Sequence, residues 1–219
     1  MALNKLKYNS LNVTPVANKA ISFDSDPDAL EATISGGSMT FIKKLTASSS
    51  GTLSFVDGTS DVVLDNTYKE YMFIFKDIHP SNNATRLKFN FSTDSGSNYN
   101  VAKTTTMFQA YHKENGSDSG LAYTGGTDEA QDTGTAFLGG DISSDNDSSM
   151  SGFFHLFNPS STTFVKHFIN RCQTSANTEY ATDHYKAGYG NTTSAIDAIQ
   201  FSMSSGNIDA GTITLYGIN

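Results

Sequence analysis

The sequence predicts an all-β fold, an antiparallel β-sandwich or jelly roll of about eight to ten strands preceded by an extended N-terminal arm. Three observations lead to this prediction. Short runs of aromatic and β-branched residues recur through most of the chain. Clusters of Gly, Ser, Asn and Asp separate these runs. No long amphipathic helical pattern competes with them.

The first 35 residues differ from the rest and predict an arm that docks on another protein. They contain two of the four prolines and show no sustained strand or helix period. Their apolar side chains are spaced too widely to bury one another, so we expect them to pack on a separate surface. An alternative is a strand and loop packed on the chain's own domain. The predicted docking residues are Leu6, Tyr8, Leu11, Val13, Val16, Ile21 and Phe23.

Residues 36–219 predict the β-sandwich domain. In the run RLKFNFST, the side chains of Leu87, Phe89 and Phe91 point to one face, while Lys88 and Asn90 point to the other. Half-buried antiparallel strands show this alternation. The runs that predict strands are MTFIKKLTA, GTLSFV, YMFIFKDI, RLKFNFST, TTMFQAYHK, GFFHLFN, TFVKHFINRC, AIQFSMSS and GTITLYGI.

Residues 113–151 are rich in Gly, Ser and Asp and predict one long loop, which we expect to meet a partner. Tyrosines predicted to lie in loops are candidates for contact with a receptor protein or glycan, because each offers a stacking face and a polar tip. A tyrosine that caps one end of the sandwich is the alternative for each. The candidates are Tyr111, Tyr123, Tyr185 and Tyr189.

The charge balance argues against two classes of partner. Lys and Arg total 14 against 22 Asp and Glu, which gives a net charge of −8 and a pI near 4.9. Binding to nucleic acid or to anionic lipid needs a positive surface. Only 16% of residues are charged, so Ser, Thr, Asn and Gly supply much of the polar surface. We expect neither nucleic-acid binding nor membrane insertion.

The remaining global features predict synthesis in a cytoplasm without a disulfide framework. The opening MALNKLKYNS lacks the apolar core of a signal peptide. The single cysteine, Cys172, cannot form an intrachain disulfide, and we expect it to be a small buried apolar side chain. His167 is five residues away and would not share its face of a strand.

The segment FSTDSGSNYN, residues 91–100, resembles the Asp box of sialidases and other β-proteins. Asp94 can accept hydrogen bonds from the amides of a tight turn, and Gly96 suits a left-handed position. In sialidases the motif recurs and lies away from the catalytic centre. We therefore expect Asp94 and Gly96 to build a structural turn.

No motif predicts a catalytic, metal or cofactor site. Asp24, Asp26 and Asp28 have the spacing of an EF-hand, but Ala29 and Ser35 replace the glycine and glutamate that the loop needs. A second acidic cluster in DISSDNDSS is an unspecific set of oxygen ligands. The five histidines form no zinc-binding spacing, and no nucleophile, P-loop or dinucleotide motif is present. The second cluster consists of Asp141, Asp145 and Asp147.

The chain resembles structural proteins of marine tailed bacteriophages. The resemblance begins near residue 39 and rests on the LSF strand, the HP turn, the S-x-D-x-G hairpin and, most specifically, the closing AGTITLYGI. The opening LKYNSLNVTPVANKAISFDSDPDALEA is similar to segments that precede different domains in such proteins. The resemblance implies a virion component with a shared docking arm, and it carries over no binding residues.

These observations predict a non-enzymatic virion protein, a tail-fibre or receptor-binding module docked through its arm. Its expected partners are other virion proteins and a host-surface glycan or protein. We also expect a homo-oligomer, with a trimer favoured because virion appendages repeat around an axis. One alternative is a capsid decoration or head-fibre protein. Another, from a different class, is a glycan-binding or glycan-degrading module.

Overall fold

The computed structural model describes residues 20–23, 30–33 and 38–219, and it confirms the all-β prediction. The described residues contain one 3-10 turn, Gly125–Thr127, and no α-helix. No helix in these ranges has the length and hydropathy to cross a membrane. The strands are β1 (Ala20–Phe23), β2 (Leu30–Thr33), β3 (Met39–Thr46), β4 (Leu53–Val56), β5 (Glu70–Pro80), β6 (Leu87–Ser92), β7 (Lys103–Lys113), β8 (Ser119–Tyr123), β9 (Ala130–Asp132), β10 (Ala136–Phe137), β11 (Met150–Phe157), β12 (Lys166–Ala176), β13 (Tyr180–Gly190), β14 (Ala198–Met203) and β15 (Ile208–Ile218).

The chain divides into two units, residues 1–38 and residues 39–219. In the first unit β1 and β2 pair antiparallel, with Ala20 opposite Thr33 and Phe23 opposite Leu30. Of the predicted docking residues, Ile21 and Phe23 lie on β1, and their side chains are not described. Leu6, Tyr8, Leu11, Val13 and Val16 lie outside the described residues.

The second unit is a jelly roll. Its four-stranded sheet has the order β10-β6-β14-β4, and its larger sheet begins β3-β15-β5-β11. If these eight strands are numbered along the chain, the two orders are 5-4-7-2 and 1-8-3-6. This is the arrangement that two Greek keys produce when eight strands fold into a pair of packed sheets.

Two insertions extend the larger sheet beyond the jelly roll. β7, β8 and β9 lie between the fourth and fifth jelly-roll strands, and β12 and β13 lie between the sixth and seventh. They continue the sheet in the order β11-β12-β13-β7-β8, with β9 paired to β7, to make nine strands in all. We call these five inserted strands the extension.

Phenylalanines fill the space between the two sheets. Phe89 and Phe91 of the four-stranded sheet meet Phe154 and Phe168 of the larger sheet, with ring centroids 4.8–6.1 Å apart. All four are at most 1% exposed. The alternation in RLKFNFST therefore places its phenylalanines in the core, where burial and edge-to-face contact stabilise the sandwich.

Residues 113–151 do not form one long loop. They contain β8, β9, β10 and the first residues of β11, and Ala136, Leu138 and Ile142 are fully buried. Residues 124–149, which we call the crossing segment, run from β8 to β11. Within them β9 pairs with β7 and β10 pairs with β6, while residues 127, 134 and 138 lie against the inner face of the extension, the face on the side of the four-stranded sheet. The prediction of a long loop was wrong because buried polar side chains, which have no sequence signature, hold this segment down.

Candidate functional site

Buried polar side chains hold the crossing segment against the extension. Lys103 donates from Nζ to the carbonyl of Gly134 at 2.7 Å, and Asn170 donates from Nδ2 to the carbonyl of Leu138 at 2.6 Å. Both side chains are fully buried. These donors satisfy backbone carbonyls that no neighbouring strand pairs, which lets an irregular segment lie inside the protein.

A buried ion pair fixes the start of the same segment. Nζ of Lys186 lies 2.9 Å from Oε2 of Glu129 and donates to the carbonyl of Thr127 at 2.6 Å. Thr105 donates its hydroxyl proton to the same carboxylate at 2.5 Å. Burial lowers the pKa of Lys186, and the charge of Glu129 opposes this shift.

Beyond the area that the crossing segment covers, the inner face of the extension forms one wall of a groove of about 450 Å³. β7 and β13 form this wall, while the rest comes from the residues just before β6, the turn between β7 and β8, parts of the crossing segment and the turn between β12 and β13. The groove therefore lies where the two insertions meet. Because β7 and β13 are paired along their whole length, the wall that they form is preorganised.

The groove offers both hydrogen-bond donors and acceptors. Gln109 and Asn177 contribute amides, and the Tyr180 hydroxyl donates to Oδ2 of Asp118 at 2.9 Å. The rings of Tyr111 and Tyr180 meet edge to face at 6.0 Å. A ligand with several hydroxyl groups can both donate to and accept from such a lining.

A salt bridge closes one side of the groove. Nε of Arg86 donates to Oδ1 of Asp141 at 2.7 Å, and Nη2 donates to Oδ2 at 3.3 Å. The side chains are 32% and 39% exposed, so solvent reaches this pair. Because a guanidinium has five N–H donors, Arg86 retains donors that the bidentate pair does not use.

His184 lies at the bottom of the groove. The residue is 2% exposed, and its Nδ1 has no hydrogen-bond partner among the described residues. Burial lowers the pKa of the imidazole to about 4, and the nearby positive charge of Arg86 acts in the same direction. A neutral imidazole carries one donor and one acceptor nitrogen, and Nε2 is the nitrogen that faces Gly140 in the lining of the groove.

Gly140 makes room for this histidine. A Cβ at position 140 would lie 2.6 Å from Cε1 and 2.9 Å from Nε2 of His184. Any larger residue would push the imidazole away. The Gly139-Gly140 pair in the sequence could have suggested a close approach, but its partner, 44 positions further along, could not be read from the sequence.

The structure separates the four candidate tyrosines. Tyr111 lines the groove. Tyr185 lies on the opposite face of the extension, where its ring stacks on Phe108 at 4.9 Å, and Tyr123 lies on that face beside Phe108 in the strand register. Tyr189 is on the same outer side, 6.2 Å from the ring of His167. Sequence patterns did not reveal Gln109 and His184, which their strands bring beside Tyr111 and Tyr180.

The segment 91–100 forms a hydrogen-bonded turn after β6. Oδ1 of Asp94 accepts from the amide of Asn98 at 2.8 Å and from the hydroxyl of Ser92 at 2.7 Å. Gly96 has a φ of +78°, in the left-handed region, and its amide donates to the Ser92 hydroxyl at 3.0 Å. These hydrogen bonds lower the pKa of Asp94, the one from the Asn98 side chain most strongly.

The carboxylates of the second acidic cluster that have partners bond to other side chains. Asp141 pairs with Arg86, and Asp145 accepts from the hydroxyl of Ser143 at 2.8 Å. No group of three potential metal ligands occurs in residues 38–219 and the two described hairpin strands. The first cluster, Asp24, Asp26 and Asp28, lies outside the described residues. Cys172 is fully buried, and burial raises its pKa.

Comparison of the chain with protein-family models, with curated proteins and with solved structures found no match. The resemblance to structural proteins of marine tailed phages therefore stays a prediction.

Proposed function

We propose that this protein is a non-enzymatic adhesion module of a tailed-phage particle, and that the groove binds a hydroxyl-rich ligand such as a host-surface glycan. The observation that carries this proposal is the groove at the meeting point of the two insertions. It combines a wall of two paired strands, mixed donors and acceptors, and the imidazole of His184 at its bottom. Elements added to a common scaffold are a usual location for function.

The chemistry of the groove supports a glycan over other ligands. Its carboxylates and its guanidinium are of opposite sign, so neither a polyanion nor a polycation is favoured by charge alone. Sugar hydroxyls can accept from Arg86 and Gln109 and donate to Asp118, and tyrosine side chains suit contact with a sugar ring.

The bonding of the acids supports binding rather than catalysis. Asp118 accepts from the Tyr180 hydroxyl, and Asp141 accepts two hydrogen bonds from Arg86. A general acid or base has to reach a proton of the substrate. Carboxylates that already accept hydrogen bonds from protein donors are better suited to keeping the shape of the groove and orienting a ligand than to transferring a proton.

Binding to an array of bacterial surface oligosaccharides, followed by calorimetry with any glycan bound, tests the groove. We expect Gln109→Ala to weaken binding roughly tenfold, as loss of one good polar contact does. The matched control is Gln173→Ala, which removes the same side chain from β12 on the opposite face of the sheet. Equal binding by wild type and both variants would show that the ligand binds elsewhere.

The place on the particle needs a separate measurement. Gold-labelled antibody against residues 39–219, viewed on intact particles by electron microscopy, should label the tail vertex. Label spread over the head would instead support the capsid decoration or head-fibre alternative. No glycan binding together with head label would contradict the adhesion proposal.

A further inference from the structure

The outer face of the nine-stranded sheet, the face turned away from the four-stranded sheet, is unusually apolar. Seven large apolar side chains are exposed among the described residues, and the strand register places six of them on this one face. These six are Met39 (45% exposed), Phe41 (59%), Phe108 (42%), Leu121 (74%), Tyr123 (65%) and Ile169 (48%). The seventh is Phe164, which precedes β12.

Cross-strand pairing places two of these side chains in one row with other large side chains. One row runs from Tyr123 through Phe108, Tyr185 and Arg171 to Phe153. In it Phe108 and Tyr185 stack at 4.9 Å with their planes 2° apart, and the Arg171 guanidinium lies 4.7 Å from the Tyr185 ring centroid. Aromatic residues and arginine are the types that dominate the centres of protein interfaces.

The charged side chains of this face include one ion pair and two further lysines. Nη2 of Arg171 donates to Oδ2 of Asp183 at 2.7 Å, while the exposed Lys44 and Lys76 lie toward the β3 edge, away from the row described above. The outward side chains of the four-stranded sheet include Ser54, Lys88 and Gln200, and none of the exposed large apolar side chains lies on its strands. The exposed apolar side chains of the sandwich are therefore concentrated on the outer face of the larger sheet.

We propose that this outer face is the interface between copies of this chain. The face carries both a projecting apolar cluster, Phe108, Leu121 and Tyr123, and an apolar hollow of about 440 Å³ whose lining includes Phe157 and Ile169. A symmetry axis can bring the projection of each copy to the hollow of the next. A knob and a hollow on one surface are what a self-complementary interface requires.

The size of the face also fits a second copy. The eight strands of its main path lie about 4.8 Å apart, so a face about 20 Å along the strands covers roughly 700 Å². A stable interface buries about 800 Å² on each partner, polar and apolar area together, so the whole face is about as large as the area that one copy contributes. This interface is independent of the groove, which opens on the inner side of the extension.

The molecular mass of the full chain, measured by light scattering during size-exclusion chromatography over a micromolar concentration series, tests the proposal. The wild type should have the mass of two or more chains, the number giving the symmetry. Leu121→Asp and Phe108→Asp each place a carboxylate on the face and should weaken association at least roughly 30-fold, as expected for a central contact.

The matched control is Phe164→Asp, which places the same charge at an exposed phenylalanine outside the face and should leave the mass unchanged. Circular dichroism checks that each variant is folded, and Leu121→Asp is the more tolerant of the two because Leu121 is 74% exposed. A wild type with the mass of one chain at every concentration overturns the proposal. So does an equal loss of mass in Phe164→Asp, which would place the interface elsewhere.

Discussion

The jelly-roll strands and the extension belong to one continuous sheet, but different contacts stabilise them. Between the jelly-roll sheets, Phe154 packs on Phe73, Phe89 and Phe91, and it also packs on Phe168, near the start of the extension. On the inner face of the extension, the buried side chains include Lys103, Lys186 and His184. Apolar packing is non-directional and tolerates adjustment, whereas buried polar groups need specific partners. The comparison indicates that the jelly roll supplies stability and the extension supplies a specified shape.

The largest expected effect is in the jelly roll. Phe154→Ala should lower the free energy of unfolding by about 3–5 kcal/mol, because it removes a fully buried ring and leaves a cavity between the sheets. Urea unfolding measures this change. Phe164→Ala is the control and should change stability by less than about 0.5 kcal/mol, because Phe164 is 67% exposed. Similar values for the two variants would contradict the packing of the core.

The core phenylalanines also explain why much of the fold could be predicted. The runs around Phe73, Phe89 and Phe154 combine strand propensity with alternation, and all lie on observed strands. Hydrophobic alternation reveals which face is buried whenever one side of a strand packs on a core. The strand order could not be predicted, since it depends on contacts between residues far apart in the sequence.

β13 shows why the extension could not be predicted from the same signals. Its inward residues are Thr182, His184 and Lys186, whereas its outward residues include Tyr185 and Tyr189. The polar side of β13 is thus the buried one. A prediction that places the apolar side of a strand in the core therefore buries the wrong face of β13. The groove remained hidden for the same reason, because its strands come from insertions that meet only in the folded chain.

The next largest effect is expected at Lys103. Lys103→Met keeps the apolar length of the side chain but leaves the carbonyl of Val101 without its donor, while Oδ1 of Asn90 and the carbonyl of Gly134 each lose one of two hydrogen bonds. Because an unsatisfied buried acceptor is costly, we expect a loss of about 1–3 kcal/mol. Hydrogen exchange should also quicken in the crossing segment before it quickens in the jelly roll. An equal increase of the exchange rate in the crossing segment and the jelly roll would contradict the view that different contacts stabilise them.

The pH dependence of stability sharpens this test. Burial lowers the pKa of Lys103 from 10.5 to about 8, so the unfolded chain binds more protons than the native protein between these values. The lysine's contribution to the free energy of unfolding therefore rises as the pH increases from 8 to 10.5. Stability curves of wild type and Lys103→Met should accordingly diverge with pH in favour of the wild type.

The difference in stability between wild type and Lys103→Met separates the effect of Lys103 from that of groups whose titration lowers stability as the pH rises. Burial raises the pKa of Cys172 and raises that of Tyr71 to about 12, so both stabilise the native protein less as the pH rises. Both residues are present in wild type and variant, and their contributions cancel in the difference. A constant difference across this pH range would show that Lys103 is not buried as a charged group.

The smallest expected effect on stability is the most specific to the groove. Gly140→Ala places a methyl group against the imidazole of His184, which can yield by rotating toward the groove. We expect a cost of about 1 kcal/mol and a rise of the His184 pKa from about 4 toward the ordinary 6.5, because the displaced ring is better hydrated. Nuclear magnetic resonance titration of the histidine ring protons measures the shift. Gly126→Ala is the control, since a Cβ there meets nothing within 4 Å. An unchanged His184 pKa in Gly140→Ala would mean that the imidazole can accommodate the added methyl group without moving toward solvent. The packing around His184 would then be looser than the structure indicates.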